Sequence, residues 1–306
     1  MTVPGSRGPI GLIGIGREMA LIRQHIAVLD WGDLPWGRWL RGRWQQSELE
    51  LMVAEVPVGK VGAALGTQGL IQHARPWLIV NCGSAGALAP GLQVGDLVLG
   101  NRVVAHDQGI YLETGSRPGQ QGMDGYVHLG SPVPGGRRRG FEPDPELLAR
   151  AETAASRADL SGKRLTGPIV SGDQLVFQDG RKRWLRQAFG ALAVENEGAA
   201  VAQVAHCYGI PWLVVRGISD SADAAAGFDF APLLDFLEDG QAPGRLGQLR
   251  RAVEHERRHP GTLRKIHRFR RGVTQAMRTV AAFLDVFLPA LPEGKVQGDV
   301  SSSPLG

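Results

Sequence analysis

The sequence predicts an α/β fold: a single domain around one central, mixed and twisted β-sheet flanked by helices. Two observations carry this reading. Short apolar runs that end in glycines alternate with helically spaced segments from Ile10 to Ile218, with no internal repeat. The 43 glycines are scattered, as a succession of tight strand–helix turns requires, and not gathered into low-complexity tracts. With 306 residues, 43% of them hydrophobic, the chain can bury a sizeable core.

Taken in order, Ile10–Ile15 is an apolar run broken by Gly14 and followed by Gly16. Glu18–Leu29 carries Met19, Ile22, Ile26 and Leu29 at helical spacing, so the chain is expected to open as strand, turn and helix. Trp31–Trp44 holds four of the seven tryptophans among Gly and Arg and reads as a β-hairpin packing its rings on the core. Leu49–Val56 is a strand, Val61–His73 a helix, Trp77–Asn81 a strand ending in glycines, and Leu97–Ala105 a further strand. From Asp107 to Phe141 the chain is rich in Gly, Pro, Ser and Arg, which predicts a long excursion serving as a lid or an oligomer contact. Pro145–Arg157 is a helix, Gly167–Ser171 a strand, and Ala191–Glu195 a strand leading into the helix Gly198–Tyr208. Trp212–Ile218 is an apolar strand interrupted by Arg216 alone. One domain over residues 1–290 follows, with a basic helical insertion at about 224–271, a closing helix Gly272–Leu288 and a disordered tail over 291–306.

Charge is unevenly placed. The net charge is +4, yet the stretch from Arg245 to Arg271 alone carries ten Lys/Arg against two Glu, so the rest of the chain nets about −4. Basicity therefore belongs to one segment and is no nucleic-acid signature of the whole. That segment, with Leu246, Leu249 and Val253 among arginines, reads as a solvated helical face with subunit contacts, or as a dock for an acidic partner over 245–271. Cys82 and Cys207 are too few for a disulfide framework or a four-cysteine zinc site, and both read as buried thiols. His255 and His259 lie one helical turn apart without a third ligand, so no metal and no organic cofactor is expected. His106 beside Asp107 reads as a hydrogen-bonded loop pair. The start of the chain lacks a basic stretch followed by an apolar one, and Thr279–Leu291 is too short to span a bilayer and contains Asp285. A cytoplasmic protein without a transmembrane segment is the expectation.

Four strand ends concentrate the chemistry, and ligands in α/β sheets gather at the carboxyl ends of strands. They are Gly14-Ile-Gly-Arg-Glu18, Asn81-Cys-Gly-Ser-Ala-Gly86, Ala193-Val-Glu-Asn-Glu197, and Val214-Val-Arg-Gly-Ile-Ser-Asp220. The fourth is the most demanding, because a buried strand bearing Arg216 and ending in Ser219-Asp220 must satisfy those charges. An Arg–carboxylate pair would do so structurally, and a carboxyl group at a strand end beside a serine also suits a general acid.

Together with Gly59-Lys-Val-Gly-Ala-Ala-Leu-Gly66, Val94-Gly-Asp-Leu-Val98, His106-Asp107 and Val170-Ser-Gly-Asp173, these segments resemble the nucleoside phosphorylase/hydrolase superfamily, and among its members the methylthioadenosine/S-adenosylhomocysteine nucleosidases. The resemblance implies a nucleoside phosphorylase-like sheet and hydrolysis of a purine N-glycosidic bond. On this basis Asp220 would donate a proton to N7 of the purine, with Ser219 orienting it. Glu197 would hold the ribose hydroxyls and favour an oxocarbenium-like transition state. Ser84, Arg216 and a glutamate after the first strand would position and activate water. Aligning the helix puts Glu18 in that role, aligning the glycines puts Met19 there; Glu18 is preferred because loops absorb deletions more readily than helix faces.

Leu175 and Val176 would face the base, although the family usually has an aromatic where Leu175 stands. Asn196 replaces a methionine usual beneath the ribose, and Val58 would touch the 5′ substituent, as would Tyr111 or Leu112 of a partner subunit in the implied homodimer. Related phosphorylases carry Arg where Asn81 stands, which favours water over phosphate as nucleophile. Arg17 and Arg216 keep a phosphorylase open as the alternative, and the basic segment keeps open a non-catalytic nucleoside-binding module.

Overall fold

The computed structural model describes residues 8–35, 37–45, 47, 49–112, 125–221, 256–257 and 260–292. The chain runs β1 (Ile10–Ile15), α1 (Met19–Arg23), β2 (Ile26–Leu34), β3 (Gly37–Trp44), β4 (Glu50–Val56), α2 (Lys60–Ala74), β5 (Leu78–Ala87) and β6 (Leu97–Ala105). It continues through β7 (Gly109–Tyr111), β8 (Tyr126–His128), β9 (Ser131–Val133), β10 (Gly136–Arg138), α3 (Pro145–Arg157) and β11 (Arg164–Ser171). The remaining elements are α4 (Asp179–Phe189), β12 (Ala193–Glu195), α5 (Gly198–Cys207), β13 (Trp212–Asp220) and α6 (Thr262–Phe287).

Among the described residues, nine strands form one mixed sheet in the order β12-β11-β6-β13-β5-β1-β4-β3-β2. Strand β12 pairs with both β11 and β5, so the five strands β5, β13, β6, β11 and β12 close into a small barrel. Apolar residues alternate between two cores across the sheet. Leu12, Val80, Cys82, Leu213 and Val215 face α1, α3 and α6; Ile13, Ile79, Ala85 and Val214 face α2 and α5. Helix α6 supplies Met277, Val280, Phe283, Leu284 and Phe287, a stripe at 3.6-residue spacing.

The fold class is the one the sequence predicts, and several elements differ in extent. The helix expected over Glu18–Leu29 stops at Arg23, and the chain turns into β2 at Ile26. Strand β2 is the edge of the sheet, so Val28 and Leu29 face solvent although their spacing mimics a helix face. The tryptophan hairpin exists as β2 and β3, but its rings divide. Trp44 is buried, whereas Trp31 is exposed beneath the Arg38 guanidinium, 4.9 Å from the ring centroid.

Strand β5 runs through Asn81–Gly86 to Ala87, beyond the end expected at Asn81. The excursion after Asp107 contains two small hairpins, β7–β8 and β9–β10, with residues 113–124 outside the described residues. The terminal helix begins at Thr262, ten residues before the expected start at Gly272, so Arg264–Arg271 form its first turns. Leu246, Leu249, Val253, His255, His259 and residues 293–306 lie outside the described residues; Leu291, expected in the tail, is buried in the core. Cys82 is buried as expected, but Cys207 is exposed because α5 ends there. No helix among the described residues is long and apolar enough to cross a membrane.

Candidate active site

The carboxyl ends of β1, β5, β12 and β13 bring the sequence-predicted residues together. Glu18 follows β1 by a tight turn, in which its N–H donates to the carbonyl of Ile15. Its carboxylate spans to β5, where Oε2 accepts the N–H of Ser84 at 2.7 Å and Oε1 accepts the Ser84 hydroxyl at 2.6 Å. Met19 is fully buried, its sulfur 3.7 Å from the thiol of Cys82. The helix alignment is thus the one whose carboxylate faces Ser84, while Met19 serves the core.

Gly83 lies where Glu18 and Arg216 converge. A Cβ there would stand 3.0 Å from Glu18 Oε2 and 3.5 Å from Arg216 Nη1, so a larger residue would press on the Glu18 carboxylate. Arg216 is itself paired in register with Gly83 across β13 and β5, and its side chain is almost completely buried. It donates to Asn81 Oδ1 at 2.5 Å, to the Asn81 carbonyl at 3.1 Å, and to Glu195. Glu195 also accepts from the Ser171 hydroxyl and from the N–H groups of Glu197 and Gly198 at the start of α5. Burial opposes the charge of Glu195, but Arg216 and the Ser171 hydroxyl hold its carboxyl below the ordinary glutamate range. Burial likewise opposes the charge of Arg216, and Glu195 and Glu197 more than offset it.

Glu197 is placed differently. Its Oε1 accepts the N–H of Gly59 at 2.9 Å, and its Oε2 lies 4.0 Å from Arg216. Burial, and next the charge of Glu195, push its carboxyl up to about 8. Because the folded protein holds this proton more tightly than the unfolded chain, the contribution of Glu197 to stability is fully present below the ordinary glutamate range and is lost as pH rises toward 8. Glu197→Gln should therefore flatten the decline in melting temperature between about pH 5 and 8. An unchanged slope in that variant would mean Glu197 does not hold the proton.

Asp220 closes β13 after a bulge. The register against β5 slips between Ile218 and Asp220, which turns the carboxyl group over Gly86. A Cβ on Gly86 would stand 3.2 Å from Asp220 Oδ2. Ser219 Oγ is 3.0 Å from Asp220 Oδ1 and 3.2 Å from the carbonyl of Ala85; its single proton serves one of them at a time. The Lys182 ammonium lies 3.5 Å from Oδ2. Burial raises the carboxyl above the ordinary aspartate range, against the opposing influence of Lys182 and Ser219.

The loop after β11 is clasped to the start of α2. Lys60 N–H donates to Asp173 Oδ1 at 2.8 Å, Lys60 Nζ to Asp107 Oδ1 at 2.5 Å, and Asp173 N–H to Asp107 Oδ2 at 3.0 Å. Asp107 is thus paired with Lys60 and not with His106, both of whose ring nitrogens are buried without a partner among the described residues. Burial pushes the His106 imidazole down to about 4. Asn196 donates its amide to the carbonyl of Gly172, bracing that loop. Leu175 is exposed, Val176 packs on the cluster of Leu88, Val170, Leu185 and Val194, and Val58 is exposed beside Gly59.

Lys182 is the functional candidate the sequence did not suggest. Arg181-Lys-Arg183 resembles a solvated charge run, and only the helical phase that buries Lys182 with Leu185 turns it inward. No cluster of three or more His, Cys, Asp or Glu side chains suited to a metal exists among the described residues.

The chain matches the sequence model of the phosphorylase superfamily over residues 10–242. It is similar in structure to the S-adenosylhomocysteine nucleosidase of Streptococcus pyogenes in complex with 5-methylthiotubericidin, with 25% identity, coverage of 95% of this chain and 100% of that one, and a TM-score of 0.66. The 5′-methylthioadenosine/S-adenosylhomocysteine nucleosidase of Helicobacter pylori is 26% identical over 93% of this chain and 99% of that one, with a TM-score of 0.67. The futalosine hydrolase of Helicobacter pylori is 26% identical over 92% and 98%, with a TM-score of 0.65. Sequence match, sheet topology and the convergence of Glu18, Ser84, Glu197 and Asp220 lead to one conclusion: the chain belongs to the phosphorylase superfamily.

Proposed function

We propose that this protein hydrolyses the N-glycosidic bond of a purine nucleoside, an adenine nucleoside such as methylthioadenosine or S-adenosylhomocysteine, to free base and a ribose derivative. The observation that carries the reading is the Glu18 carboxylate seated on the N–H and O–H of Ser84. A carboxylate in that place can take a proton from water and repels a phosphate dianion. Of the arginines that would favour phosphate, Arg216 turns its Nη groups to Glu195 and Asn81, and Arg17 is exposed.

In this reading the Asp220 carboxyl protonates N7 of the purine as the C1′–N9 bond breaks and its electron pair passes to the base. Glu197 holds the ribose hydroxyls, and water adds to C1′ as its proton passes to Glu18. Ser84 and Arg216 hold the water-side groups in place. Leu175 and Val176 border the base, Asn196 braces the loop beneath it, and Val58 borders the 5′ substituent. Replacing Glu18 by Gln should lower kcat by about 10²–10⁴-fold with nucleoside binding retained. Met19→Leu, a volume-conserving core change, should leave kcat near normal and cost less than about 1.5 kcal/mol.

A homodimer accompanies this reading. Val61 and Leu65 of α2 are 72% and 50% exposed, and Tyr208 beside them accepts from Gln68 at 2.7 Å, which gives the α2–α5 surface an apolar face for a second copy. Arg264, Arg268 and Arg271, all exposed on successive turns of α6, offer the place for an acidic partner.

The test is chromatographic: purified protein incubated with adenosine, methylthioadenosine, S-adenosylhomocysteine and a futalosine-type nucleoside. Release of adenine from one or more of the adenine nucleosides is the expected result. Binding without release of any base would overturn the enzyme reading and favour a nucleoside-binding module.

A further inference from the structure

Helix α4 places a lysine where an amphipathic helix places its apolar residues. Lys182 is 3% exposed, one turn from buried Leu185, while its neighbour Arg183 is exposed. A buried ammonium is costly, and a lysine stem normally carries the charge out to water. This one instead ends 3.5 Å from Asp220 Oδ2, and among the described residues Asp220 is the carboxylate it is paired with. The Asp220 carboxyl is met by Lys182 from α4, Ser219 from β13 and the backbone of Gly86 from β5. Lys182 is the charged group among them.

The Arg216–Glu195 pair is balanced whatever happens at the substrate. The Lys182–Asp220 pair is not. While Asp220 carries its proton the buried ammonium lacks a counter-charge, and once that proton has left, the two groups form a neutral pair. An interaction that strengthens as the reaction advances lowers the barrier, whereas one of constant strength does not.

We propose that Lys182 is a positioning residue for Asp220: its buried ammonium holds the carboxyl group over Gly86 and stabilises the carboxylate left when the proton departs. The inference rests on the reading of Asp220 as the acid. It also explains how a carboxyl raised by burial remains acidic enough to part with its proton, since Lys182 opposes that rise.

The experiment compares kcat–pH profiles of the full-length wild type, Lys182→Met and Lys182→Arg with methylthioadenosine. Activity requiring protonated Asp220 falls as pH rises through its titration. Loss of the ammonium should move that alkaline fall upward by about one pH unit or more. It should also lower kcat by about 10²-fold. Lys182→Arg should keep the wild-type position of the fall. Should Lys182→Met yield too little folded protein, Lys182→Gln reads the same limb. In an Asp220→Asn background, removing Lys182 should cause little further loss. An alkaline fall that does not move, with kcat within about twofold of wild type, would overturn the proposal and leave Lys182 a packing residue. Near-normal turnover of Asp220→Asn would instead defeat the acid reading itself, so the two failures are distinguishable.

Discussion

Asp220→Asn is expected to lower kcat for base release by about 10²–10⁴-fold, the usual contribution of a positioned general acid, while nucleoside binding survives. The amide keeps the shape of the carboxyl and can still hydrogen-bond Ser219, but it has no proton to give to N7. The free base is a poor leaving group as an anion, so the whole effect should fall on the chemical step. Two features suit Asp220 to proton donation. The bulge at Ser219 turns it over Gly86, and burial raises its titration above the ordinary aspartate range. The sign of the pH dependence follows, with kcat high below that titration and declining above it. Single-turnover kinetics alongside calorimetric binding would separate the two effects, and turnover near the wild-type value would remove Asp220 from the mechanism.

The second large effect is on stability. Arg216→Met should destabilise the fold by about 3–5 kcal/mol, the cost of leaving one member of a buried ion pair without its partner. Glu195 is nearly inaccessible to water, and the bonds from Ser171 and the start of α5 surround a carboxylate that Arg216 neutralises. Without the guanidinium Glu195 would take up a proton, so the loss should be largest at neutral and alkaline pH and smaller in acid. Coupling Arg216→Met with Glu195→Gln should recover part of the loss. Urea denaturation of the single and double variants measures this directly. A loss below about 1 kcal/mol would mean the pair carries little of the stability of the barrel end.

Much of this architecture can be read from the sequence because burial and pattern agree there. Ile10–Ile15, Leu97–Ala105 and Pro145–Arg157 have the same limits in both, since dense apolar runs and an Asp-Pro helix start leave few alternatives. The segment from Glu18 to Leu29 misleads for a physical reason. An edge strand with one solvent face tolerates Val28 and Leu29 in the open, and their spacing coincides with a helix period. Helix α4 escapes notice because its charged run hides the inward phase of Lys182 and Leu185.

At the site, residue types in motif order suggest Asp220, Glu197, Ser84 and Glu18. What no local pattern contains is the partnering: Glu195 rather than Glu197 takes the main bond from Arg216, Asp107 turns to Lys60 rather than to His106, and Asn196 serves the backbone of Gly172. Those choices are made by strand register and by barrel closure through β12, which join residues far apart in the chain.

The measurement closest to the central claim is the phosphate dependence of base release from the best nucleoside of the panel. With the Glu18 carboxylate on Ser84 and the Arg216 Nη groups turned to Glu195 and Asn81, release should proceed at full rate in phosphate-free buffer and yield an unphosphorylated sugar. Release that requires phosphate and yields a sugar 1-phosphate would contradict the account.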